Sequence, residues 1–294
     1  MDLQGVRIMD RKIKITADST GDIMPEICAE YNIDITPLHI VYDSESYDDG
    51  VDIFPSDILN RYAANKQLPK TSAVTSWEYA QKFKKYIDDG YEIIHISLGS
   101  SISSTHQNSV IAANDLGHVY PVDSQSLGFG SGILACIAHD MITETDLSAK
   151  EIAEKLTEIV PHISASFVVD NLEFLRAGGR CSTLAMLGAN LLNIKPCIEV
   201  SNSSGASMTV GRKYRGKFDK VIAEYTREKL SQFSSFDNKR ICIEYTDVPK
   251  ETVDMVYEII KETGIFENIY VTRASCTITS HCGAGCMGLF FITK

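Results

Sequence analysis

Lys12-Ile-Lys-Ile-Thr-Ala-Asp18-Ser-Thr-Gly21 is the stretch on which the fold turns. Its alternating apolar residues mark a short strand, and Asp18-Ser-Thr-Gly21 ends that strand with residues that favour turns and helix N-caps. Helix periodicity follows over 23–31, and residues 33–42 are β-rich. The acidic, glycine-containing stretch 43–52 reads as a loop or hairpin. Residues 77–88 form an amphipathic helix with Tyr79, Phe83 and Tyr86 on one face and lysines on the other. Residues 91–97 are a strand feeding a helix over 103–114, 119–123 are another strand, and 130–142 are a helix of small residues. Strands alternating with helices predict a doubly wound, mostly parallel sheet.

A helix over 149–160, stopped by Pro161, bridges to a different pattern. Six strands are expected near 164–169, 197–200, 207–211, 240–245, 268–272 and 287–292, with helices near 182–193, 217–231 and 250–263. That balance predicts a mixed sheet with helices on one face. The expected architecture is α/β with two domains, 1–162 and 163–294, and the default ligand site is the cleft between them.

Four hydroxyl-rich turns punctuate the first half: Asp18-Ser-Thr-Gly21, Lys70-Thr71-Ser72, Gly99-Ser-Ser-Ile-Ser103-Ser-Thr105 and Asp123-Ser124-Gln-Ser126. Each alone is a set of caps and turn formers. Together, on the carboxyl edge of a parallel sheet, they suit a carboxylate or phosphate held by hydroxyls and helix N-termini. The run from Gly128 to Gly132 lacks both the GxGxxG spacing and a P-loop lysine, so close helix packing explains it better. In Thr277-Ile-Thr-Ser-His281-Cys-Gly-Ala-Gly-Cys286 three readings stay open. Zinc ligation by His281, Cys276, Cys282 and Cys286 lacks the C-x2-C spacing. A Cys–His nucleophile places neighbours on opposite faces of an extended segment. A glycine-bracketed loop that presents His281 to a pocket needs no special assumption.

Composition excludes other classes. The 294 residues carry a net charge of −11, with 44% hydrophobic and 23% charged side chains. Nucleic-acid binding calls for clustered Lys and Arg, and the densest basic cluster here is Arg212-Lys-Tyr-Arg-Gly-Lys217. No apolar run approaches the roughly 20 residues of a membrane span, and the first ten residues lack a signal-peptide core. A cytoplasmic protein without an integral membrane segment is expected. The eight scattered cysteines fit free thiols in that compartment.

Taken in order, these segments resemble the DegV family from Lys12 to the last strand. Thr16-Ala-Asp18-Ser-Thr20 is similar to its T-D-S-T/S opening, and Thr71-Ser72 to the start of its T-S-Q-P turn. Residues 99–109 resemble S-S-x-L-S-G-T-y-q-S-A, and Val122-Asp-Ser124 resembles V-x-D-S. The stretch Asp170-Asn-Leu-Glu-Phe-Leu-Arg-Ala-Gly-Gly-Arg-Cys-Ser182 resembles D-x-L-x-y-L-x-x-G-G-R-I-S. Ile194-Lys-Pro196, Arg215 and His281-Cys-Gly-Ala-Gly285 complete the series.

The resemblance implies a long-chain fatty acid in a tunnel between the domains, its carboxylate held by Thr71 and Ser103. It places Ser72, Gly178, Gly179, Arg180 and His281 at the pocket or facing a partner, here the ATP-dependent subunit of a fatty acid kinase. It implies a carrier with no catalytic residue, metal or cofactor of its own. Four departures stand out: Ser104 for a glycine, Ala73-Val74 for Gln-Pro, Gly216 for a threonine and Cys282 for a threonine. The competing expectation is a thioesterase or acyltransferase using Ser103 or a cysteine, although the chain has no G-x-S-x-G elbow.

Overall fold

A computed structural model describes residues 12–181, Thr183 and 194–294. In the first half, β1 (Ile13–Asp18) runs into a 3-10 turn at Ser19–Gly21, then α1 (Pro25–Glu30), β2 (Ile33–Thr36), β3 (His39–Tyr42), β4 (Glu45–Asp48) and α2 (Pro55–Asn65). Next come β5 (Lys70–Ser72), α3 (Ser76–Asp88), β6 (Glu92–Ser97), α4 (Thr105–Leu116), β7 (Val119–Asp123), α5 (Phe129–Glu144) and α6 (Ala149–Ile159). The second half holds β8 (Ile163–Val169), α7 (Glu173–Gly178), β9 (Ile194–Ser201), β10 (Ser207–Arg215), α8 (Phe218–Ser231) and β11 (Phe236–Tyr245). It ends with α9 (Lys250–Glu262), β12 (Asn268–Arg273), α10 (Cys276–Cys282) and β13 (Cys286–Thr293). The helix expected near 182–193 lies outside the described residues, as does Ser182.

The first sheet is parallel throughout, in the order β2-β1-β6-β7. The second is mixed, in the order β10-β9-β8-β13-β11-β12, and antiparallel except for β11–β12. Both match expectation. A third sheet, β4-β3-β5, is antiparallel and turns Lys70–Ser72, read as a turn, into an edge strand paired Ile40 to Thr71.

The mixed sheet is covered on both faces, which corrects the expectation of helices on one face only. Along β8, β11 and β13 successive side chains enter opposite cores, as the strand period of two requires. Val168, Ile241, Ile243, Met287, Leu289 and Phe291 pack with Val221, Ile222, Val253 and Val256 of α8 and α9. Their neighbours Phe167, Val169, Cys242, Phe290 and Ile292 join the core of the parallel sheet and α5. Helix α5 is therefore a middle layer between the two sheets. Its first ten residues are buried apart from Ile137, and its glycines permit close approach: a Cβ on Gly132 would lie 2.2 Å from the Gly21 carbonyl oxygen. Packing accounts for those glycines without a nucleotide.

A buried carboxyl pair pins this layer. Glu244 on β11 accepts a hydrogen bond from the Phe129 N–H (2.6 Å) at the start of α5, and Asp22 accepts from the Ser275 N–H (2.9 Å). Burial, reinforced by Glu244, drives the Asp22 carboxyl well above its ordinary range, so this pair retains a proton. Burial likewise pushes Glu244 up from 4.5 to about 7. The folded protein then binds the Glu244 proton more tightly than the unfolded chain does. Stability declines as pH rises from about 4.5 to about 7, by on the order of 2–3 kcal/mol. Glu244→Gln keeps an acceptor for Phe129 and cannot ionise. Thermal melts should show its stability relative to wild type rising between pH 4 and pH 8; the same difference at both pH values would contradict the shared proton.

Candidate functional site

The Asp170–Arg180 and His281–Gly285 segments meet at a cavity of about 440 Å³ lined from both halves of the chain. The first half contributes Leu38, Thr71, Ser72, Thr75, Leu98, Ile102, Ser103, Ser104 and Leu127 to its wall, and the second half contributes Phe167, Leu175, Arg180, Met208, Thr277, Ile278, His281 and Cys282. Thr71, Ser72, Ser103, Arg180 and His281 thus line one cavity. Gly178 lies behind His281, and neither Gly178 nor Gly179 lines the cavity itself.

His281 is carried by α10, a helix where a loop was expected. Thr, Ser and Cys are weak helix formers, so caps hold this element. Asp49 accepts from the Cys276 and Thr277 N–H groups (2.8 and 2.9 Å), Ser275 Oγ accepts from the Ile278 N–H (3.4 Å), and Gly283 closes the helix at φ +69°. Asp49 comes from the acidic stretch 43–52 and was missed because it sits among solvent-loop residues. Ser275 before the segment and Gly283 after it were the legible signals.

The Asp170–Arg180 and His281–Gly285 motifs close on each other like facing strips. The Asp170 N–H donates to the Gly285 carbonyl (2.8 Å). A Cβ on Gly285 would lie 2.8 Å from Asp170 Cβ, one on Gly283 2.5 Å from the Phe174 ring, and one on Gly178 2.2 Å from His281 Nδ1. Gly178 therefore makes room for the imidazole. Gly179 serves the backbone instead, taking φ +65° to end α7 with its N–H on the Leu175 carbonyl.

The imidazole is aimed at a hydroxyl. His281 Nε2 and Thr71 Oγ1 are 2.9 Å apart, and Nδ1 is buried with no hydrogen-bond partner among the described residues. Burial, then the Arg180 charge, depresses His281 to about 4, so the ring is neutral at physiological pH. With the proton on Nε2, the ring donates to Thr71 and leaves the Thr71 O–H free to donate onward. Ser103 Oγ accepts from the Thr105 N–H and Oγ–H (both 3.2 Å), so its own proton is available too. Ser104 has ordinary backbone angles (φ −86°, ψ 2°) and adds a hydroxyl to the wall without displacing α4. Asn108 of α4 donates to the Val74 carbonyl (2.7 Å) and fastens this helix to the Thr71–Thr75 segment.

The other two hydroxyl turns serve structure. Asp18 is buried and accepts from Tyr79 Oη–H (2.5 Å) and the Leu98 N–H (2.9 Å). Asp123 accepts from the Ser100 and Gln125 N–H groups, and Ser124 bonds Ser131 (2.8 Å). They set the strand ends from which Leu98, Ser103 and Leu127 reach the cavity. Cys282 and Cys286 meet through a side-chain hydrogen bond, but Cys276 Sγ donates to the Ile53 carbonyl, and no group of three or more potential metal ligands gathers among the described residues.

The sequence model of the DegV family, described as an uncharacterised protein family, matches residues 12–294. The chain belongs to the DegV family. A fatty acid-binding protein of Thermotoga maritima is 29% identical over 286 residues, covering 94% of this chain and 96% of its own. The crystal structure of a DegV lipid-binding protein from Thermotoga maritima superposes with a TM-score of 0.82 at 27% identity, over 96% of this chain and 98% of that one. A DegV family protein from Thermus thermophilus, described for fatty acid binding, shares the fold with a TM-score of 0.87 at 22% identity, over 96% and 100% of the two chains. The DegV architecture, a parallel sheet and a mixed sheet with their helices, is thus shared along nearly the whole chain. Among the described residues, no helix is long and apolar enough to cross a membrane.

Proposed function

We propose that this DegV protein binds one long-chain fatty acid, with the carboxylate held by Thr71 and Ser103, and presents it to a separate ATP-dependent kinase subunit that forms the acyl phosphate. The observation that carries the reading is the mixed lining of the cavity: the hydroxyls of Thr71 and Ser103 with His281 and Arg180, and beside them the apolar Leu38, Leu98, Ile102, Leu127, Phe167, Leu175, Met208 and Ile278. Each buried methylene contributes about 0.8 kcal/mol, so the acyl chain supplies most of the affinity and the hydroxyls fix its direction. Neutral donors suit this task, because two O–H groups stabilise a carboxylate without burying a second charge. Family relatives described as fatty acid-binding and as lipid-binding support the ligand class.

The kinase step draws on the family resemblance and on Arg180, which is exposed at the cavity and donates to the Gly178 carbonyl (2.7 Å). Its guanidinium stands beside the carboxylate site, where transferred phosphate would gather negative charge. The reading calls for no cofactor of the chain's own and accords with a cytoplasmic carrier. A thioesterase or acyltransferase is less well supported: His281 engages Thr71, His106 engages Ser97 Oγ (2.7 Å), and among the described residues no imidazole is bonded to Ser103.

Titration of delipidated protein with a long-chain fatty acid should saturate at one acid per chain. Addition of a fatty acid kinase ATP-binding subunit and ATP should then yield acyl phosphate, while the isolated chain leaves acyl thioesters intact. Hydrolysis of thioesters by the isolated chain, abolished by Ser103→Ala, would favour the enzyme reading.

A further inference from the structure

A second, smaller cavity adjoins the main one across a shared wall. That chamber, about 10 Å³, shares Leu127, Phe167, Ile278 and Cys282 with the main cavity and is closed by Glu244 and Phe290, among others. Phe167 is the bulkiest shared side chain. It sits on β8 directly across from Gly288 of β13, where a Cβ would come within 2.9 Å of Phe167 Cβ. The missing side chain at Gly288 gives Phe167 its place, and cross-strand pairing fixes it there. Phe167 is 3% exposed, and rigid strands rather than a loop carry it.

We propose that Phe167 is the residue that limits acyl chain length, acting as a stop between the main cavity and the chamber beside Glu244. This rests on the fatty acid reading above. In this proposal the carboxylate sits at Thr71 and Ser103 and the acyl chain runs along Leu127 and Ile278 to the wall that Phe167 forms. Beyond Phe167 the lining gains a carboxyl group, Glu244. Glu244 accepts the Phe129 N–H there, and a methyl terminus pressed against this carboxyl group would take the place of polar partners without supplying any. The ring therefore both ends the apolar channel and screens the acyl chain from the buried carboxyl pair. On a β-strand its position is set by the sheet, so the length limit is sharp.

The test uses the full chain as wild type, Phe167→Ala and Phe167→Leu, titrated with saturated fatty acids of increasing carbon number, with thermal melts to establish folding. Wild-type affinity should rise by about fourfold per added methylene until the chain reaches the stop, then level or fall. In Phe167→Ala the rise should continue to longer acids, and Phe167→Leu, the milder change should the alanine variant fail to fold, should break off in between. Superimposable length profiles for wild type and a folded variant, both binding acid, would overturn the stop and leave the fatty acid reading standing. No uptake of any acid by wild type would overturn both.

Discussion

Thr71→Ala combined with Ser103→Ala is expected to weaken long-chain fatty acid binding by about 100-fold or more. In the proposed site each hydroxyl would donate to a charged oxygen, a class of hydrogen bond that contributes about 1.5–3 kcal/mol, and a carboxylate left without those donors would lose part of its hydration as well. The fold should survive. Thr71 lies on an edge strand whose pairing with Ile40 is a backbone matter, and Ser103 precedes α4 without belonging to it. Each single variant should fall between wild type and the double variant. Competition binding on delipidated protein measures the effect; unchanged affinity in a folded double variant would move the carboxylate elsewhere in the cavity.

Gly178→Ala is the second large effect, and it acts at a distance from the ligand. Alanine suits a helix better than glycine, so α7 itself should gain slightly. Its methyl group, however, would stand 2.2 Å from His281 Nδ1, and the imidazole must swing away from Thr71. Thr71 then loses the donor that orients its hydroxyl. Affinity should fall by roughly tenfold, about one hydrogen bond. The imidazole's own titration gives an independent readout. Released from the burial that holds it near 4, His281 should titrate closer to the ordinary 6.5, visible by NMR of the ring protons. A ring still titrating near 4 in Gly178→Ala would show that the glycine is not making room for it.

Much of this was written plainly in the chain. The parallel sheet was legible because β1, β6 and β7 alternate with helices of clear periodicity, and the mixed sheet because residues 286–292 are buried on both faces and read as one apolar run. The third sheet was legible in part: β3 lies in the β-rich 33–42 and β4 in the stretch read as a loop or hairpin, whereas β5, three residues beginning at Lys70, is too short for a period to register. Helix α10 was missed because its Thr, Ser, His and Cys residues favour no helix, and its stability comes from Asp49, more than 200 residues away in sequence. At the site, residue types announced hydroxyl turns but could not say which of them faced inward. Thr71 and Ser103 line the cavity, whereas Asp18, Asp123 and Ser124 are committed to backbone and side-chain partners within the fold. The meaning of Gly178-Gly179 was also hidden, since only the packed structure separates a glycine that clears space for His281 from one that turns the backbone.

Native mass spectrometry of the freshly purified chain tests most directly whether the cavity is a fatty acid site. The expected spectrum shows the chain carrying a single added mass, released on denaturation and identified as a long-chain fatty acid. Delipidated protein should regain that mass when the same acid is supplied. A spectrum of bare chain that takes up no fatty acid on addition, or a bound molecule without a carboxylate, would contradict it.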